Sequence, residues 1–277
     1  MPISDANTCP DCHEMTNAQL DRRKFVGVVG GAAVLPCAIP TGALSDEPSA
    51  APGRRNSRPA EALIRELYAG MNSWQREHLV YPWNHGAENN RTPTRLRMYN
   101  SSLGEPIGDS YTRAQRELVE RILKAISSGE EGYARISRNG RWDTRNGILD
   151  CGAHIFGDPT NDRRFSFVFS GHHMTIRCDG NSEPNVAFGG PIFYGHSPNG
   201  YSRRNVFHYQ TVAVKNVYEA LTGQQRRGAT VTGTPGEWAR SVEFRAQGQA
   251  VPGIPGSDLN RNQRRLVQTV MMTLLRP

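Results

Sequence analysis

The densest chemistry in this 277-residue chain lies at Phe169-Ser170-Gly171-His172-His173-Met174, where two imidazoles follow a glycine. His154, His196 and His208 lie nearby, so five of the eight histidines fall within residues 154–208. Imidazole titrates near neutral pH and is the commonest metal ligand, so such a cluster suits proton transfer or metal binding. His172 and His173 are the candidate catalytic pair, and His154, His172, His173 and His196 the candidate metal ligands. Copper or zinc suits that set, whereas iron needs a carboxylate partner that the spacing does not single out. One geometric condition applies. Adjacent residues on a regular strand point to opposite faces, so both rings reach one site only if Gly171 marks a bulge or a strand end. Otherwise the pair is structural and hydrogen-bonded. Asp150, Asp158 and Asp162 flank the region and are candidates to orient an imidazole or act as a base. Arg91, Arg95 and Arg97 flank Tyr99 in a loop-like stretch and are candidates to clamp a carboxylate or sulfate; solvated or helix-capping arginines are the other reading.

The elements that must hold these residues are legible from periodicity. Phe165, Phe167 and Phe169 alternate with Ser166, Val168 and Ser170, which predicts a long strand continuing to Arg177. Val186 to Tyr194 is its expected partner across a turn-rich stretch, and Ile148 to Phe156 a third strand. Four times, Thr or Asn stands three residues before Gln, followed by Arg: at Asn72, Thr112, Thr222 and Asn260. Each is a capping box, in which two side chains satisfy backbone N–H groups at a helix start. Their overall spacing is irregular, which argues against a solenoid. Amphipathic stripes surround them: Leu63, Ile64, Leu67 and Met71; Leu118, Val119, Ile122 and Leu123; Leu266, Val267, Val270 and Met271. Helices at both ends and strands between them predict an α+β domain with a largely antiparallel sheet. The familiar phosphate-loop, dinucleotide, serine-hydrolase and zinc-protease signatures are missing.

The N-terminus reads as an export signal. Arg22-Arg23-Lys24-Phe25 precedes an uncharged run from Val26 to Ile39 that is too short for a permanent span, and small residues follow. The paired arginines resemble the twin-arginine motif, which implies the twin-arginine translocation machinery as partner and a periplasmic or secreted location. Residues 1–43 are therefore read as tail and signal, 44–58 as a disordered linker, and 59–277 as a single domain. Losing residues 1–43 would remove three positive and four negative charges, turning a net +7 into +8. The basic residues form no run and are not interleaved with aromatics, so nucleic acid is not an expected partner. Cys9 and Cys12 fit a haem-attachment pattern with His13 but would leave with the signal. Cys151 and Cys178 remain, an even pair in an oxidising compartment, and are expected to form a disulfide or persist as two buried thiols.

Gly171-His172-His173 after an aromatic strand, the strand Gly190-Pro191-Ile192-Phe193-Tyr194-Gly195, the turn Phe156-Gly157-Asp158-Pro159 and the recurrent Gln-Arg helix starts together resemble the bacterial "domain of unknown function 3500" family. That resemblance covers most of Pro59–Pro277 and implies no activity. From the residues, the expectation is an exported protein with a histidine-centred site, metal-dependent or not, acting on an extracytoplasmic small molecule or polymer. A metal-dependent hydrolase or oxidoreductase is the enzyme class it suits; a non-catalytic envelope-associated module for an anionic ligand is the alternative.

Overall fold

The computed structural model describes residues 59–277 apart from 161–162, 181, 183–188, 197, 199–200 and 234–247. The signal, the linker, Asp162 and the first part of the Val186–Tyr194 strand lie outside the described residues. Within them are eight α-helices and one five-stranded sheet, an α+β architecture. The helices are α1 (Pro59–Ala69), α2 (Ser73–Leu79), α3 (Ile107–Ser110), α4 (Arg113–Ile126), α5 (Gly129–Ile136), α6 (His208–Ala220), α7 (Gly223–Ala229) and α8 (Arg261–Leu274). The strands, in sheet order, are β1 (Val80–Tyr81), β2 (Gly152–Gly157), β3 (Phe165–Gly171), β4 (Met174–Cys178) and β5 (Phe193–Tyr194). Only β1 and β2 run parallel; the other pairs are antiparallel.

The alternation in β3 sets up two faces of different chemistry, and both are buried. Phe165, Phe167 and Phe169, with Ala153, Ile155, Met174 and Ile176, join Ile64, Leu67, Val119, Ile122 and Leu123 in one core. Each fully buried Phe or Leu there contributes roughly 1.5–3 kcal/mol. The opposite face carries His154, Ser166, Ser170, Thr175 and Arg177, all buried as well. Residues 95–103 cross this polar face and are held by its side chains. The Arg177 guanidinium donates to the carbonyls of Arg95, Arg97 and Pro191. Thr175 Oγ1 accepts from the Tyr99 N–H at 2.7 Å and donates to the Tyr99 carbonyl at 2.8 Å. Ser170 Oγ accepts from the Leu103 N–H at 2.8 Å. The period of two is therefore not an inside–outside pattern; it separates an apolar cover from a hydrogen-bonded one.

Two expected strand boundaries shift. The stretch 165–177 is a hairpin rather than one strand, because Gly171 pairs with Met174 and His172-His173 form the turn. The third expected strand begins at Gly152, since Gly147–Asp150 is a single turn of 3₁₀ helix.

All four capping boxes are formed, each with both reciprocal bonds. They also pair. Gln75 and Gln115, 40 residues apart, exchange side-chain hydrogen bonds at 2.7 and 3.0 Å, while Gln225 and Gln263, 38 apart, do so at 3.1 and 2.8 Å. Around each pair the helices match: α1 with α6, the seven-residue α2 and α7, and the 14-residue α4 and α8. Buried Ile64, Leu67 and Met71 correspond to buried Val214, Val217 and Leu221. Arg76 lies over Tyr68 as Arg226 lies over Tyr218, at 4.7 and 5.2 Å from the ring centroids. The chain thus uses one helical module twice, once before β2 and once after β5. The faces differ in cover: Leu123 is 1% exposed and its counterpart Met271 52%.

The first glutamine pair is the buried one, so it sets a prediction. Gln75→Ala strips partners from the Asn72 N–H, the Ser110 carbonyl and the Gln115 amide. Stranding such groups costs about 2–3 kcal/mol in all, read as a lower urea midpoint. Gln225→Ala, in the more exposed pair, should cost clearly less.

Candidate functional site

The loop after α5 places a carboxylate against the hairpin turn. Arg138, Asn139, Gly140, Trp142 and Asp143 all have positive φ, between 51° and 80°. Non-glycine residues seldom adopt that region, and such strain gathers at functional sites. Trp142, 2% exposed, anchors the loop by packing on Phe169 at a centroid distance of 4.9 Å. His173, in the second turn position, is also left-handed at φ 60°. Its N–H donates to Asn100 Oδ1 at 2.7 Å, and its carbonyl accepts from the Gly195 N–H at 2.8 Å.

Asp143 organises three cations or imidazoles. Its carboxylate accepts from Arg138 and lies 3.0 Å from His196 Nδ1 and 3.4 Å from His173 Nδ1. Its backbone carbonyl lies 2.8 Å from His172 Nδ1. The His172 and His173 rings stack at 3.8 Å, with planes 25° apart. The turn thus satisfies the geometric condition by ending the strand, and brings both imidazoles to one side. Burial pushes the Asp143 carboxyl up, but donors from His173, His196 and Arg138 outweigh it and hold it well below the usual carboxylate range. An ionised Asp143 makes His173 carry its proton on Nδ1, and the Asp143 carbonyl does the same for His172. Each ring then keeps a basic lone pair on Nε2.

His196 plays a different part. Its side chain is fully buried, stacked on Phe207, with Nε2 2.7 Å from the Ile136 carbonyl and 3.1 Å from that of Arg135. Both ring nitrogens therefore face oxygens that only accept. The ring ties Asp143 to α5.

His154 stands apart from these three. It pairs with Val168, three residues down β3 from Gly171, on the polar face of the sheet. The four histidines expected as metal ligands do not converge, and the described residues contain no group of three or more His, Cys, Asp or Glu placed to hold one ion. The arginine clamp is not assembled either. Arg91 is exposed, Arg95 donates to the Trp83 carbonyl and covers the Trp83 ring, and Arg97 donates to the carbonyls of Thr92 and Gly86. Asp150 caps its own turn through Asn146, and Asp158 binds Thr160 and Arg163. Neither orients an imidazole. The residues missed from sequence are Asp143 and Arg138; the signal available was only a polar, glycine-containing loop next to a buried tryptophan.

The expected disulfide is corrected: Cys151 and Cys178 are both thiols. Cys151 sits beside Gly171, whereas Cys178 pairs with Phe167. Four residues of strand separate the two levels, roughly 13 Å, well beyond the reach of a bridge. Burial, then nearby Asp150, pushes the Cys151 thiol up to about 12, so it is inert packing.

An α+β domain whose strained loop backs a histidine hairpin with a buried carboxylate is the class that these features define. The chain belongs to the family described as Protein of unknown function (DUF3500), whose sequence model matches residues 55–276. No curated protein and no solved structure matches it. No helix among the described residues is long and apolar enough to cross a membrane.

Proposed function

We propose that this chain is an exported protein that uses His172 and His173 as a carboxylate-backed general base and acid on an extracytoplasmic small molecule or polymer. One observation carries the reading: Asp143 engages Nδ1 of both rings, through its carboxylate and its own carbonyl, and leaves both Nε2 atoms for substrate. In this reading His173, whose Nδ1 faces the Asp143 carboxylate, accepts the substrate proton at Nε2. His172, whose Nδ1 faces the Asp143 carbonyl, stacks on it and acts as the acid. Export rests on Arg22-Arg23 and the apolar run behind them.

Diethyl pyrocarbonate tests the site without a known substrate, because it acylates the free imidazole lone pair. Peptide mass mapping over pH 5–8 should show His172 and His173 modified faster than His154 and His196. Asp143→Asn should slow His173 most. Equal or slower modification of His172 and His173 than of His154 sinks the proposal.

A further inference from the structure

The two helical modules share one frame and differ in what they turn to solvent. In α8, positions three and four apart from 261 to 275 form one outward face. It carries Arg261, Arg264 and Arg265, then Gln268, then Met271, Met272 and Leu275, and every one of them is exposed. The opposite face, with Gln263, Leu266, Val267 and Val270, is buried or half-buried and packs on α6. Scattered apolar residues on a surface mean little, but three grouped beside a set of arginines ask for a partner.

The first module shows what an ordinary outward face looks like in this frame. With the capping glutamines Gln115 and Gln263 in register, Glu117 matches Arg265, Glu120 matches Gln268 and Lys124 matches Met272. The outward charges of α4 neutralise one another: Glu117 lies 3.2 Å from Arg113, and Glu120 3.4 Å from Lys124. By contrast, α8 contains no acidic residue, and the position of Lys124 is taken by a methionine that is 75% exposed. The contrast holds across the modules. Residues 59–79 and 107–126 carry six basic and six acidic side chains, residues 208–229 and 256–277 seven and two. The apolar end of α8 is also firmly held. The Tyr194 hydroxyl donates to the Leu274 carbonyl at 2.5 Å, and the Pro277 carbonyl accepts from the Ser128 N–H at 2.8 Å.

Charge selects among the possible occupants. A second copy would add its own arginines to the patch and bring no acidic residue on that face. Residues 234–247 carry two acidic and two basic side chains, so they offer no net charge to the arginines. An anionic lipid surface answers both halves of the face: headgroup phosphates meet the guanidinium groups, and the layer beneath takes up the methionines and the leucine. With 14 residues, α8 is too short to cross a bilayer and would lie along it.

We infer that the outward face of α8 is a docking surface by which the chain rests on anionic phospholipid, with its arginines on the headgroups and Met271, Met272 and Leu275 inserted below them. This surface is independent of the hairpin pair.

The full chain is mixed with phosphatidylcholine vesicles, with or without phosphatidylglycerol, that carry a photoactivatable diazirine on an acyl chain, and the adducts are mapped by peptide mass. The readout is the yield on α8, because the apolar run at 26–39 has its own affinity for lipid. Adducts at 271–275 should form with phosphatidylglycerol, fail to form without it, and fade as salt rises. Arg264→Gln with Arg265→Gln should lower that yield at least about fivefold, the share of a single arginine near an anionic surface. Arg113→Gln with Arg121→Gln removes the same charge from α4 and should leave the yield unchanged. No adduct on α8, or an equal loss from both pairs of substitutions, overturns the docking surface. So does a dimer in sedimentation equilibrium that Met272→Gln dissociates, which would assign the face to a second copy. A urea midpoint lowered by Met271→Gln with Met272→Gln would assign it to packing within the chain, and overturns it as well.

Discussion

Asp143→Ala is expected to lower folding stability by about 3–5 kcal/mol, the usual cost of removing one partner of a buried ion pair. The side chain is 3% exposed and serves Arg138, His173 and His196 at once, so its loss leaves Arg138 and a buried imidazole without their acceptor. Asp143→Asn should cost less, because an amide oxygen still accepts one of the three. Urea denaturation of the two variants beside wild type measures the difference. A loss under 1 kcal/mol for Asp143→Ala means that the network holds nothing together. The sign with pH is fixed by the depressed carboxyl. Its contribution is complete above the unfolded value near 4 and disappears as pH falls through the lower folded value.

A second large effect comes from His154 and has its own pH window. Burial holds its folded value at about 4, against about 6.5 for an unfolded histidine. Between those values the unfolded chain takes up a proton that the native ring refuses, so stability falls as pH drops from 6.5 toward 4. The loss is about 3 kcal/mol, at 1.36 kcal/mol per pH unit of difference. Denaturation midpoints at pH 7, 5.5 and 4 should show it in wild type, and His154→Leu should lack that portion of the slope. Parallel pH profiles for the two proteins would refute the assignment.

Much of the fold was legible because it rests on local chemistry. Thr or Asn three residues before Gln fixed all four helix starts, and Phe165, Phe167 and Phe169 fixed a strand and its core face. The pairing of the boxes was not legible, since a glutamine that caps its helix gives no sign of which other glutamine it will meet. The cover over the polar face was not legible for a similar reason. Ser166 and Ser170 alternate with the phenylalanines, and nothing in that alternation tells that both are buried or that Leu103, 67 residues earlier, donates its N–H to Ser170. The site was half visible. The His172-His173 pair stood out by type, but Asp143 reaches it only through a left-handed loop 30 residues upstream, and neither φ nor long-range contact is written in spacing. Cys151 and Cys178 looked paired by count, and strand register separates them.

The reciprocal glutamines have a bearing on how sequence length can vary. Between its short helix and its second box, the first module carries residues 80–106, which supply β1 and the segment that crosses the polar face of the sheet; the second carries residues 230–255 at the same position in the sequence. In both, the glutamine pair fastens the two ends of the excursion to each other like the drawstring of a bag. The length inside is then uncoupled from the position of the helices outside. Residues added to or removed from 80–106 would nevertheless pull on Tyr81 at one end and on Leu103, bonded to Ser170, at the other. The first copy of the frame thus encloses a stretch whose length is set by the sheet and not by the helices that bracket it.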